Sequence, residues 1–212
     1  RMGGDLNIGI KEYFMYDGFS FRFVPIKNRM SNREIGFADP EDLYDKMMNV
    51  YKWDALKRTD YFADYQHFYT FCGVLSQRNL FVNVAKEMIK AGRKDRAVEL
   101  LDKCQEVVPE EVYPLDMTCM GFNNEHMVLL MIETYYEAGE PQKAAELAAR
   151  YADQLIKSSE FFLEFYDVAR QEFEMCYQCL QFVSEITEQY GDSQLAASIR
   201  DRFNDLVKSY DE

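Results

Sequence analysis

The chain has 212 residues, 48% of them hydrophobic and 29% charged, and its 24 Lys and Arg against 37 Asp and Glu give a formal net charge of −13. That is enough apolar material for a real core, which excludes a disordered tail, while the negative surface would repel a nucleic-acid backbone or an anionic membrane face. The longest stretch without a charged residue, Tyr65 to Gln77, is shorter than the roughly 18–20 apolar residues a membrane helix needs.

From Asp5 to Val24 the residues favour strands. Phe19, Phe21 and Phe23 alternate with Ser20, Arg22 and Val24, and Asp17-Gly18 between two aromatic runs predicts a hairpin over about residues 11–24, ended by Pro25. A hairpin alone is marginal in water, so this one is expected to pack on the helices or to complete a sheet with upstream strands. The chain starts at Arg1 with no leader, so residues 1–39 read as a hairpin and loop segment left from an upstream region.

Residues 40–212 read as a helical-repeat domain. Asp39 is the expected N-cap, with Pro40 at the first helical position and Glu41 and Asp42 behind it. Leu43, Tyr44 and Met47, with Val50 or Tyr51, supply the apolar stripe of this short helix. Trp53, the single tryptophan, is expected to anchor a junction, with a ligand-stacking role as the alternative. The aromatics between Asp60 and Gln77 predict a helix without defining its buried face, and Gly73 weakens it.

A repeat then takes over. Gly92, Gly139 and Gly191 are each followed by alanine five residues later (Ala97, Ala144, Ala196) and by a branched aliphatic eight later (Leu100, Leu147, Ile199). Twelve residues after each glycine stands Cys104, Tyr151 or Phe203. The glycines are 47 and then 52 residues apart, which predicts stacked helical hairpins over about 77–108, 123–157 and 159–209. Each glycine ends one helix, and each alanine lets the two arms approach closely. In the third hairpin the first arm is expected to run from Phe161 to Tyr190, burying Phe161, Phe162, Phe165, Val168, Phe173, Cys176, Leu180, Val183 and Ile186. Exposed Arg200, Asp201, Arg202, Asp205 and Lys208 are expected to form a solvent-facing cap on the last helix. The fold class is therefore mainly α: a tetratricopeptide-like α-α superhelix of about three hairpins with a small β-hairpin at its N-terminal side.

No catalytic, cofactor-binding or metal-ligating constellation is expected. His67 and His126 lie in different segments, and phosphate loops, serine elbows and zinc helices are missing. Glu110-Glu111 and the Glu172 and Glu174 pair read as solvated carboxylates. The five cysteines are Cys72, Cys104, Cys119, Cys176 and Cys179. Cys176 and Cys179 read first as small apolar residues one turn apart, with a redox or zinc site as the alternative. The candidate interaction surface is aromatic: Tyr65, Tyr69, Tyr135, Tyr136, Tyr166 and Tyr177, facing a protein, a peptide or a glycan.

Two stretches carry a resemblance. Tyr16-Asp17-Gly18-Phe19-Ser20-Phe21-Arg22-Phe23-Val24-Pro25-Ile26-Lys27, followed by the hairpin residues around Ala91-Gly92 and Tyr135 to Glu140 with Lys143-Ala144, is similar to the C-terminal part of large bacterial multi-spanning membrane proteins that resemble protein O-mannosyltransferases. The resemblance implies a soluble, non-catalytic region on the periplasmic side of the inner membrane, attached to a glycosyltransferase-like parent and contacting its membrane part. Such a region would position acceptor proteins or stabilise the parent. The alternatives are a free-standing peptide-binding scaffold, which would need a basic clamp that the acidic composition opposes, and a glycan-binding module using exposed aromatics.

Overall fold

The computed structural model describes residues 13–25, 27, 39–58, 60, 74–116 and 124–211. The chain divides into two compact units, residues 1–51 and 52–212.

In the first unit, β1 (Phe14–Asp17) and β2 (Ser20–Phe23) pair antiparallel with Asp17 opposite Ser20 and Phe14 opposite Phe23. Gly18 takes φ +74° and, among the described residues, no non-glycine has positive φ, so glycine alone at the first turn position makes the type II′ connection that suits strand twist. Helix α1 (Pro40–Asp45) starts as expected: the Asp39 carboxylate accepts from the Glu41 and Asp42 amides, with Pro40 in the first turn. It runs into a π-turn, Lys46–Val50. Leu43 and Met47 are buried, whereas Val50 is exposed. Asp17 accepts from Arg22 at 2.7 Å and from Lys46 at 2.9 Å, tying hairpin and helix together, and Phe19 packs on Tyr51 at 5.1 Å.

The second unit is built from α2 (Val74–Lys90), α3 (Lys94–Val107), α4 (Asn124–Ala138), α5 (Pro141–Glu164), α6 (Tyr166–Gln189) and α7 (Ser193–Asp211). They form three antiparallel pairs turning at Gly92, Gly139 and Gly191, whose φ values are +76°, +96° and +93°. Each turn closes with the same two backbone bonds. The glycine amide donates three residues back, to Ile89, Tyr136 and Glu188, and the following amide donates five back, to Met88, Tyr135 and Thr187. This is the Schellman arrangement, which satisfies otherwise orphaned helix carbonyls. The residue after the glycine also begins the next helix, accepting the first helical bond from Ala97, Ala144 or Ala196. The repeated alanine is thus fixed in the first turn, where the arms are closest, and all three alanines are fully buried. In the last pair the approach is tight enough for the Ser184 hydroxyl to reach the Ala196 carbonyl at 3.2 Å.

The core lies between the pairs. Phe81, Met88, Leu100, Leu101, Ile132 and Leu147 are fully buried, each contributing about 1.5–3 kcal/mol by leaving water. Trp53 is buried against Phe81 at 5.1 Å, as a junction anchor should be. Arg78 is also buried and donates to the backbone carbonyls of Tyr113 and Pro114, fastening the segment after α3. Burial lowers its pKa.

Two expectations need correction. Helix α5 does not end near residue 157 but continues to Glu164, and the chain bends at Phe165 (φ −120°, ψ 32°). Ser158 and Ser159 fail to break it because their hydroxyls have partners: Ser159 donates to the Leu155 carbonyl at 2.8 Å, and Ser158 donates to Asp116. The expected buried face of the third hairpin is the second correction. Cys176, Leu180 and Val183 are buried, but Phe161 is 58% exposed, Phe165 50% and Val168 83%. The bend, together with non-helical Ala169 (φ −114°, ψ 21°), turns these side chains off the stripe that a continuous helix would bury.

Candidate interaction groove

The three pairs pack in sequence. Helix α4 lies on both α2 and α3, and α6 lies on both α4 and α5. The groove between the two arms of the first pair is therefore filled by the first helix of the second, and that of the second pair by the first helix of the third. Among the described residues the corresponding groove between α6 and α7 is an open cleft of about 220 Å³ lined by Tyr177, Leu180, Gln181, Ser184, Glu185, Ile199, Arg200, Phe203 and Asn204.

Aligning the pairs on their glycines shows how the sequence builds this difference. Ten residues before the glycine stand Val82, Leu129 and Gln181; nine after it stand Leu101, Ala148 and Arg200. The first two of each set are buried, and the third is exposed. Three residues before the glycine, Ile89 and Tyr136 give way to exposed Glu188, which pairs with Arg200 at 2.7 Å. Positions that face their own partner arm stay buried throughout: Phe81, Val128 and Leu180, or Leu100, Leu147 and Ile199. The last pair thus keeps its internal core and exchanges apolar for polar side chains on the face that earlier pairs bury against a neighbour. This signal is present in the sequence, but it emerges only when the copies are compared at positions other than the conserved alanine. Arg200, Asp201, Arg202, Asp205 and Lys208 are all exposed, as the reading of α7 as a cap requires.

Aromatic rings continue the groove along the outer side of α6. Tyr177 and Phe173 stack on Phe203 at 5.1 and 6.0 Å, Tyr166 meets Phe173 at 5.7 Å, and Phe161 meets Phe165 at 5.1 Å at the bend. Of the six tyrosines proposed from sequence, Tyr166 and Tyr177 belong to this strip and are 39% and 40% exposed. Tyr135 and Tyr136 do not: both are buried, Tyr135 bonded through its hydroxyl to α3 and Tyr136 stacked on Tyr190 at 4.6 Å. Helical spacing placed them on the inward face of α4 together with Val128 and Ile132. Tyr65 and Tyr69 lie outside the described residues, as do His67, Cys72, Cys119 and the side chain of His126.

The Arg200 hydrogen bond and charge hold the Glu188 carboxyl below its ordinary range. Cys176 and Cys179 are buried thiols, and burial pushes Cys176 up to about 12, which leaves almost no nucleophilic thiolate at neutral pH. Glu110 pairs with Arg150 and Glu174 with Arg170. Among the described residues no group of three or more His, Cys, Asp or Glu is placed to hold a metal ion, and no helix is long and apolar enough to cross a membrane. Compared with protein-family models, curated proteins and solved structures, the chain finds no match.

Proposed function

We propose that residues 52–212 are a tetratricopeptide-like superhelix serving as a non-catalytic protein-interaction module, and that the α6–α7 groove receives a helix from a partner protein. The observation that carries this reading is internal to the chain: α4 and α6 occupy the two equivalent grooves, and the third is built on the same glycine–alanine turn with stacked Tyr177 and Phe203 as an aromatic floor. Helix-in-groove recognition uses such a floor with a polar rim. Gln181, Arg200 and Asn204 keep the groove wettable when empty. The likeness of Tyr16–Lys27 to a segment of O-mannosyltransferase-like membrane proteins supports a parent of that kind, in which the module would position acceptor proteins or stabilise the membrane part on the periplasmic side.

A photo-crosslinking side chain placed at position 181 or 204 of the intact protein, in the cells that make it, tests this. Crosslinks should map to a helical segment of one partner and be lost with Tyr177→Ala. Equal capture from position 146, exposed elsewhere on the same unit, or capture confined to extended segments, would refute the groove.

A further inference from the structure

We infer that the partner helix is basic and amphipathic, and that the bend between α5 and α6 selects it. This rests on the proposed function and adds the chemistry of the partner. At the bend, Phe161 packs on Phe165 at 5.1 Å, and these two, Tyr166 and Val168 are all exposed to water within eight residues, Val168 being 83% accessible. A cluster of four large apolar side chains in one short stretch is unlike the singly scattered apolar residues of an ordinary surface, and marks a contact site.

The rim of this surface is mainly acidic. Glu160, Glu164 and Asp167 alternate with the apolar residues, all are exposed, and none has an ion-pair partner among the described residues. From Lys157 to Glu174 the chain carries five carboxylates against two cations, and one of those cations, Arg170, is already held by Glu174 at 2.7 Å. Unpaired carboxylates around an apolar patch complement a helix with aliphatic side chains on one face and Lys or Arg beside them; an acidic helix would be repelled. The rings from Tyr166 through Phe173 to Phe203 continue from the bend toward the groove, so one helix can use both. A helix, rather than an extended strand, is the occupant because helices fill both equivalent grooves in the same chain.

The test titrates the full 212-residue chain with two designed amphipathic helical peptides, one of Leu and Lys, the other of Leu and Glu, followed by calorimetry. The Leu–Lys peptide should bind and the Leu–Glu peptide should not. Val168→Asp should weaken binding about tenfold or more, as loss of a central apolar contact does. The triple variant Glu160→Lys, Glu164→Lys, Asp167→Lys should do the same, while Asp54→Lys, Glu111→Lys, Glu146→Lys, an equal charge change elsewhere on the same unit, should alter it by about twofold or less. Equal weakening by the two triple variants would reduce the effect to net charge and overturn the inference. Binding of both peptides, or of neither, would overturn it as well. Groove crosslinks that persist in the bend triple variant would sink this inference alone and leave the groove reading standing.

Discussion

The Tyr135 hydroxyl donates to the Asp102 carboxylate at 2.9 Å and accepts from the Gln105 amide at 2.7 Å, so a single phenol joins the first helix of the second pair to the second helix of the first. Lys143 reaches the other Asp102 oxygen at 2.6 Å. Burial, reinforced by the Asp102 charge, raises the Tyr135 pKa well above that of free tyrosine. Tyr135→Phe keeps the ring and removes this link, and should cost about 1–2 kcal/mol in a denaturant titration. Its neighbour is the control. The Tyr136 hydroxyl is buried with no hydrogen-bond partner, so Tyr136→Phe should be neutral or slightly stabilising. A Tyr135→Phe variant as stable as Tyr136→Phe would show that ring packing, not the hydroxyl, holds α4 in place.

The three turn glycines should behave alike. A Cβ at Gly92, Gly139 or Gly191 would meet nothing within 4 Å, so substitution by alanine costs only the left-handed backbone, about 1–2 kcal/mol each. Gly18 differs, because a Cβ there would run into the Tyr51 hydroxyl and lie 3.3 Å from Leu43. Gly18→Ala should therefore disrupt the hairpin unit, seen as loss of protection at the Val24 amide, which donates to Tyr13 at 2.8 Å. A turn glycine whose replacement costs nothing would contradict the shared Schellman geometry.

Helix capping separates the turns in a second way. Asp192 caps α7 by accepting from the Leu195 amide at 3.1 Å, whereas Arg93 and Glu140 offer no side-chain cap to α3 and α5. Asp192→Ala should lower stability by about 1 kcal/mol, and Arg93→Asp should raise it by up to a similar amount. Thermal melts of the two variants moving in the same direction would count against this assignment of the caps.

Thiol chemistry offers an independent check on the core. Cys104, Cys176 and Cys179 are buried thiols outside any disulfide, and desolvation pushes both Cys104 and Cys176 up to about 12. In a chain carrying Cys72→Ser and Cys119→Ser, the remaining three should resist alkylation at neutral pH and react only as the protein unfolds. Prompt labelling of Cys176 in the native state would mean that the α6 face is open.

The acid response of the first unit follows from Asp17. Burial opposes its charge, but the hydrogen bonds from Lys46 and Arg22 and their charges outweigh that and hold its pKa below the ordinary value of 3.8. A depressed folded-state pKa gives stability that is complete above the unfolded value and is lost as pH falls through the folded one. The hairpin should therefore stay closed at neutral pH and loosen only below about 3.8. Asp17→Asn should remove this pH dependence, measured by amide exchange across Met15–Arg22; an unchanged acid profile would exclude Asp17 as its source.

What the sequence determined by itself was local. Glycine takes positive φ most cheaply and a side chain as small as alanine lets two helices approach at their turn, so the spacing from Gly92 to Ala97 and its two copies already specified where the chain reverses. The Asp39 cap, the Asp17-Gly18 turn and the polar α7 surface were legible for the same reason, since each depends on residues a few positions apart. Tertiary structure decided everything that depends on which neighbour covers a face. Periodicity marks a face as apolar but does not say whether another helix reaches it, so Tyr135 and Tyr136 went to the core while Phe161, Phe165 and Val168 came to the surface at a bend that no glycine or proline announces. Among the described residues no helix lies in the groove between α6 and α7 as α4 and α6 lie in the earlier two, and that is a property of the packing order rather than of any single segment.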